Sequence, residues 1–182
     1  MATKKWVLDP AHSELGFKIK HLMITNVSGS FNDFGVEVET QNDDFSTARI
    51  LATAKMDSIS TNNEQRDQHL RNADFFEVET YPELSFQSIK VEKVDQETFY
   101  LYGDLTMKGL TKSVKLKVEY SGLVVDPWGN EKAGFVVTGK LNRNDWGISF
   151  NGVLETGGLM LGEEVKINGE IQLVREPVAV TE

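Results

Sequence analysis

The chain is predicted to fold as an all-β, antiparallel domain, and three observations carry that prediction. Runs in which apolar and polar residues alternate at period two recur along the 182 residues. Short clusters of Asn, Asp and Gly separate these runs. No segment is long and helical enough to serve as the crossover that parallel strands require. Period-two alternation means a sheet with one wet face and one dry face.

Taken in chain order, the elements follow from this pattern. The opening stretch, MATKKWVLDPAHSE, has no apolar core of a secretory leader. Phe17 and Ile19 share one face of the first long strand. Val36 and Val38 oppose Glu37 and Glu39, and Asn42-Asp43-Asp44 forms a turn. Ile50, Ala52, Ala54 and Met56 oppose Arg49, Thr53, Lys55 and Asp57. After a polar interruption, Leu84 and Phe86 resume the dry face, and Asp95-Gln96-Glu97 turns the chain again. Phe99, Leu101, Leu105 and Met107 then alternate with Tyr100, Tyr102, Asp104 and Thr106. Val114, Leu116, Val118 and Tyr120 oppose Lys115, Lys117 and Glu119. Asp126-Pro127-Trp128-Gly129-Asn130 reads as a turn, with Phe135 and Val137 on the strand beyond it. The final strand sets Val165, Ile167, Ile171 and Leu173 against Lys166, Asn168, Glu170 and Gln172. Strands joined by turns this short favour an up-and-down meander, and closure into a barrel removes exposed edges. Alternation alone leaves a β-sandwich open.

Two stretches break the pattern. Thr61 to Pro82 (TNNEQRDQHLRNADFFEVETYP) begins with Thr61-x-x-Glu64, a capping-box signature for a helix start. The helix offers Arg66, Asp67, His69 and Arg71 but only Leu70 as an apolar anchor, so it is either an active-site element or a cap over one end of the sheet. Asn142 to Gly162 carries five glycines and the apolar run Leu159-Met160-Leu161. It is too long for a hairpin turn and reads as a lid or as a plug tucked into the core. Residues from Pro177 onward read as a tail.

Length and composition narrow the function. A chain of 182 residues without a linker-like composition shift is expected to be one domain, 1–182, with a core of about 4–175 and a tail of 176–182. That length accommodates about eight strands of roughly ten residues. The net charge of −9 and a pI near 4.9 disfavour nucleic acid and anionic membrane surfaces as partners. Zero cysteines remove disulfides, thiol nucleophiles and thiolate metal sites. No run approaches the ~18 apolar residues of a membrane-spanning helix, so no integral membrane segment is expected. The expected location is the cytoplasm, or the periplasm if a leader has been removed.

Conventional catalytic signatures are weak. His12, His21 and His69 follow no H-x-H, H-E-x-x-H or i,i+4 spacing, so neither a metal trio nor a general base is indicated. The structural reading is favoured: Arg66, Asp67 and His69 pin the polar helix to the barrel end. There is no G-x-S-x-G elbow, and Ser28-Gly29-Ser30 reads as the start of a strand. Acidic residues are everywhere, and their abundance carries no signal for paired-carboxylate glycoside chemistry. The glycines follow no phosphate-loop spacing.

Several strings, taken as an ordered set, are more specific. Trp6-x-x-Asp9 with His12-Ser13, Phe17-x-x-x-His21 and Val27-x-Gly29-x-Phe31 open the chain. Asp57-Ser58-Ile59-Ser60-Thr61, Arg66-Asp67-x-His69-Leu70, Asp74-Phe75-Phe76 and Tyr81-Pro82 follow. Gly103-x-Leu105-x-x-x-Gly109-x-x-Lys112 and Arg143-x-Asp145-Trp146-Gly147 complete the set, with Trp146 where Phe is the expected residue. Across about residues 4 to 175 this resembles the YceI-like family of lipocalin-like, polyisoprenoid-binding proteins. The resemblance implies an extended eight-stranded antiparallel barrel with a short polar capping helix. It also implies a bound polyisoprenoid or other long-chain lipid in place of a cofactor, and is compatible with a homodimer, although no strand announces a dimer edge.

Alternation and the resemblance together place Phe17, Ile19, Val36, Ile50, Ala52, Leu84, Phe86, Leu101, Leu105, Leu116, Val118, Phe135 and Val137 inside the barrel as ligand contacts. Eight strands are the size at which side chains either fill the interior or leave room for one ligand. Small residues such as Ala52, Ala54, Ser88 and Gly139 are expected to leave that room. The function read from the sequence is binding, storage or transport of a long apolar amphiphile, without catalysis. At −9, a diphosphate head would need a local cationic nest, so a quinone-like, uncharged head is expected. The rivals are an enzyme using Arg66, Asp67 and His69 at the barrel mouth, and an interaction module with a solid core.

Overall fold

A computed structural model describes residues 2–151 and 160–177 of the chain. Its strands are β1 (Thr3–Leu8), β2 (Glu14–His21), β3 (Thr25–Phe31), β4 (Phe34–Gln41), β5 (Asp44–Lys55) and β6 (Ile59–Ser60). The one α-helix among the described residues, α1 (Glu64–Arg71), precedes β7 (Glu83–Lys93), β8 (Thr98–Met107), β9 (Leu110–Val125), β10 (Glu131–Asn142) and β11 (Leu161–Arg175).

These segments make eight barrel strands, because three strands are each broken in the middle. β1 and β2 run in line along β11, with Leu8 opposite Leu173 and Glu14 opposite Glu170. β3 and β4 run in line beside them, Phe17 facing Gly29 and Trp6 facing Val38. β5 and β6 form the third broken strand, with Ile59 opposite Phe31. The remaining strands follow in the order β7, β8, β9, β10, β11, every pairing is antiparallel, and β11 returns to β1. Among the described residues this is an up-and-down barrel closed on itself, so the sandwich alternative falls. Closure leaves no long unpaired edge.

Side-chain direction follows the pleat, with one instructive exception. In β7, Leu84 and Phe86 point inward, and simple alternation would send Ser88 and Lys90 inward next. A register shift between Ser88 and Lys90 makes Ile89 the extra residue, so Val91 returns to the interior instead. Ile89 is left exposed. Ser88 also departs from expectation, since its hydroxyl accepts a bond from the Ile50 amide at 2.8 Å instead of simply leaving space.

Buried residues gather at the two ends. At one end Trp6, Val38, Phe45, Phe99, Ala133 and Leu173 pack together. Phe45 lies 5.2 Å from Trp6, 5.4 Å from Tyr120 and 5.0 Å from Phe135, ring centroid to centroid. The Trp6 indole donates to the Thr40 hydroxyl (3.1 Å), which in turn donates to the Asn42 carbonyl (2.7 Å), so the buried polar atoms of this plug are paired. At the other end Met56, Ile59, Phe75, Met107, Trp146 and Ile148 are buried beneath α1 and the segment after β10.

The helix start differs from the sequence expectation. Asn63 is the N-cap, its side chain accepting from the Arg66 amide at 3.0 Å. Thr61 instead gives its amide (2.8 Å) and hydroxyl (2.5 Å) to Asp67, a buried carboxylate that needs those donors. Of the connector from 142 to 162, residues 143–146 form a 3-10 turn whose Trp146 is buried, while 152–159 lie outside the described residues. The tail from 178 onward also lies outside them.

Candidate functional site: an apolar lumen

Between the two packed ends lies a cavity of about 450 Å³. That volume falls within the ~300–1,000 Å³ typical of small-molecule sites. All thirteen positions expected inside the barrel, from Phe17 and Ile19 on β2 to Phe135 and Val137 on β10, line it. Alternation missed several others: Leu70 lies on α1, and Phe75, Phe76, Ile148 and Phe150 lie on irregular segments where a period-two rule has no purchase.

The lumen stays open because large side chains lie flat against its wall. A Cβ on Gly29 would sit 2.3 Å from the Phe17 ring, and one on Gly103 would sit 2.4 Å from the Phe86 ring. Each glycine is therefore a notch that receives an aromatic ring from the neighbouring strand. Gly139 was expected to leave room, but Leu116 fills its place, 2.5 Å from where a Cβ would be. Ala52 and Ala54 do line the cavity as small residues.

The polar side chains at the cavity gather at the α1 end. They include Thr61, Arg66 and His69 from the helix region, His21 at the end of β2, and Arg143 after β10. Among the described residues lining the cavity, no carboxylate is present, although the whole chain carries −9. Arg143 is buried and donates to the carbonyls of Gly162 (2.9 Å), Ile148 (2.8 Å) and Phe150 (2.9 Å). Burial pushes its guanidinium pKa down, with the Glu163 charge opposing that shift. Arg66 donates to the Thr61 hydroxyl and carbonyl, both at 2.7 Å. His69 pairs with Asp74 at 2.9 Å and presents its ring edge-on to Phe75 and Phe150, 4.9 Å from each. Phe150 and Met160 line the cavity and yet are each 39% exposed, so the lumen meets solvent beside them.

The polar groups of the helix region are bonded to one another. Asp67 is committed to Thr61, Arg66 to Thr61 and His69 to Asp74, which is the wiring of a cap. His12 lies apart from the other two histidines, beside Asp9 at the β1–β2 break.

A closed eight-stranded meander with a hollow apolar lumen, one end plugged and the other under a polar helix, defines a lipocalin-like binding barrel. The chain belongs to the family described as the YceI-like domain, whose model matches residues 6–173. UPF0312 proteins of Staphylococcus aureus are similar to it, one at 42% identity over 168 residues, covering 92% of this chain and 95% of the relative. Among solved structures, the Campylobacter jejuni YCEI protein is 32% identical with a TM-score of 0.73, covering 93% of this chain and 97% of that one. Burkholderia cenocepacia BcnA shares the fold at TM-score 0.79 and 18% identity, over 91% of this chain and 98% of that one. A polyisoprenoid binding domain from Saccharophagus degradans does so at TM-score 0.67 and 12% identity, over 92% and 97%.

Proposed function

We propose that this protein binds, and stores or carries, a polyisoprenoid in its barrel lumen, without catalysis. The observation that carries the proposal is the continuous apolar cavity of about 450 Å³, lined from β2 round to β11 and reaching solvent at Phe150 and Met160. A chain of apolar units is the occupant such a cavity favours, since each buried methylene contributes about 0.8 kcal/mol. Ordering costs absorb much of that gain, so affinity rests on many interchangeable contacts and no conspicuous motif is needed. The Saccharophagus degradans neighbour, described as polyisoprenoid-binding, supports the same reading.

The head is proposed to be quinone-like and uncharged. Both arginines in the lining are already donating to protein acceptors, Arg143 to three carbonyls and Arg66 to Thr61. A carbonyl head needs one spare donor, whereas a diphosphate needs several uncommitted cations.

Extraction of the purified protein with organic solvent, followed by mass spectrometry, tests the binding directly. An isoprenoid is expected in the extract, or uptake of added prenyl quinone by emptied protein. A protein that yields no lipid and takes up none is a solid-core module in practice. Phe86→Asp and Phe135→Asp are expected to abolish retention, and Ala52→Phe to reduce it by filling the lumen. Unchanged retention in folded variants would remove those positions from the site. Tighter binding of a prenyl diphosphate than of the prenyl quinone would overturn the head assignment.

A further inference from the structure

The β2–β3 hairpin ends in Leu22, Met23 and Ile24, which are 37%, 65% and 80% exposed. Three consecutive exposed apolar residues are unusual on a chain whose net charge is −9. Their backbone makes the oddity sharper. The Ile24 amide bonds the His21 carbonyl at 3.3 Å, closing a turn whose central residues Leu22 and Met23 have φ of 56° and 61°. That left-handed pair is the geometry for which Asn-Gly is the ordinary choice. Here a strained position holds large apolar side chains that the rest of the fold does not bury.

The tip stands at the open end of the lumen. His21, the residue before it, lines the cavity, and the Leu22 amide bonds the carbonyl of Met160, another lining residue, at 2.8 Å. Behind the tip, the outward faces of three strands bring lysines together that the linear sequence keeps apart. Lys18 on β2 is opposite Lys166 on β11, which is opposite Lys140 on β10. Lys140 also approaches Glu164 at 3.5 Å. Lys20 lies between this row and the tip, two residues from Leu22, or roughly 7 Å along a strand. That offset is about the thickness of a bilayer's polar headgroup layer. Glu163 and Glu164 lie exposed on β11 between the row and the tip, so four lysines face two carboxylates on this side, and carboxylates farther away act weakly across more than about 8–10 Å of saline.

We propose that this hairpin is a membrane-docking finger: Leu22, Met23 and Ile24 insert into a phospholipid surface, with Lys20 at phosphate level and the row behind it facing the charged surface from the water side. It would set the mouth of the lumen against the bilayer. The inference rests on the lipid-carrier reading for its purpose, but not for its test. Another exposed apolar turn, at Val124, Val125 and Trp128, joins β9 to β10 at the far end and has no such relation to the cavity mouth.

The test is flotation of the full chain with vesicles of phosphatidylcholine and phosphatidylglycerol, compared with the double variant Met23→Asp/Ile24→Asp, with Lys18→Glu/Lys20→Glu, and with Trp128→Ser. The wild type is expected to float with the vesicles. The tip variant should lose at least tenfold in partitioning, as expected for two large apolar side chains. The lysine variant should lose several-fold, and Trp128→Ser should behave as wild type. Uptake of prenyl quinone from detergent micelles is measured on the same proteins and should be unchanged by the tip substitutions. A wild type that stays in solution, or a tip variant that floats equally well, overturns the finger and leaves the carrier reading standing. Flotation that persists while micellar uptake fails would sink the carrier reading and keep the finger.

Discussion

Asp67 shows how one residue decides the character of the polar helix. Its carboxylate is 5% exposed and receives both the amide and the hydroxyl of Thr61, while Arg66 closes the circuit on Thr61 from the other side. Every buried polar atom in this knot has a partner, so removing one member leaves the others stranded. Asp67→Ala is expected to destabilise the fold by about 2–4 kcal/mol, read by chemical denaturation, with the loss concentrated at the helix end. His69 is less embedded, pairing with Asp74 and packing on Phe75 and Phe150. His69→Ala should cost about 1–2 kcal/mol. A variant of intact stability that loses a chemical activity would revive the enzyme reading.

At the scale of elements, the glycine notches explain how strands rich in Phe still enclose a channel. Gly29 on β3 faces Phe17 on β2, and the three nearest atoms to an added Cβ all belong to the Phe17 ring. Gly29→Ala therefore forces that ring off the wall and into the lumen. The expected result is a folded protein, less stable by about 1–3 kcal/mol from overpacking, whose ligand stoichiometry or affinity falls. Gly139→Ala is the comparison, because only the tip of Leu116 must move there. Equal retention by the two variants would show that ring placement does not gate the channel. The dry faces were legible in sequence because antiparallel strands obey a two-residue period, and the thirteen positions that alternation and the family resemblance together set inward all line the cavity. The notches were not legible, since a glycine in a strand shows no sign of which neighbour it must admit. The helix cap was misread for a related reason: Thr61 and Asn63 are both competent caps, and the burial of Asp67, a tertiary fact, drew Thr61 away.

For the molecule as a whole, the seam is where the last strand meets the first, a pairing between residues at opposite ends of the chain that no local pattern announces. Charged groups cluster along it. Lys132 lies 3.1 Å from Asp9 and 3.8 Å from Asp126, His12 lies 2.9 Å from Asp9, and Gln172 donates to Asp9 at 3.2 Å. Arg175 meets Glu131 at 2.6 Å beside them. Burial works against ionisation of Asp9, but the bonds from His12 and Lys132 outweigh it and hold its carboxyl below the usual carboxylate value. Asp126 is likewise lowered, first by the Asn130 backbone amide. A carboxyl depressed on folding contributes stability that is complete above its unfolded pKa of about 3.9 and is lost as pH falls through the folded value. Thermal stability of the wild type should therefore be insensitive to this seam near neutrality and should fall steeply below about pH 4. Asp9→Asn should be less stable than wild type at pH 7 by about 1–2 kcal/mol, and the gap should narrow on acidification. Because the seam closes the lumen, release of a prenyl quinone loaded into the purified protein as a probe should accelerate over the same acidic interval in the wild type. Melting curves of the two proteins that stay parallel from pH 7 down to pH 3 would mean that Asp9 does not hold the barrel shut.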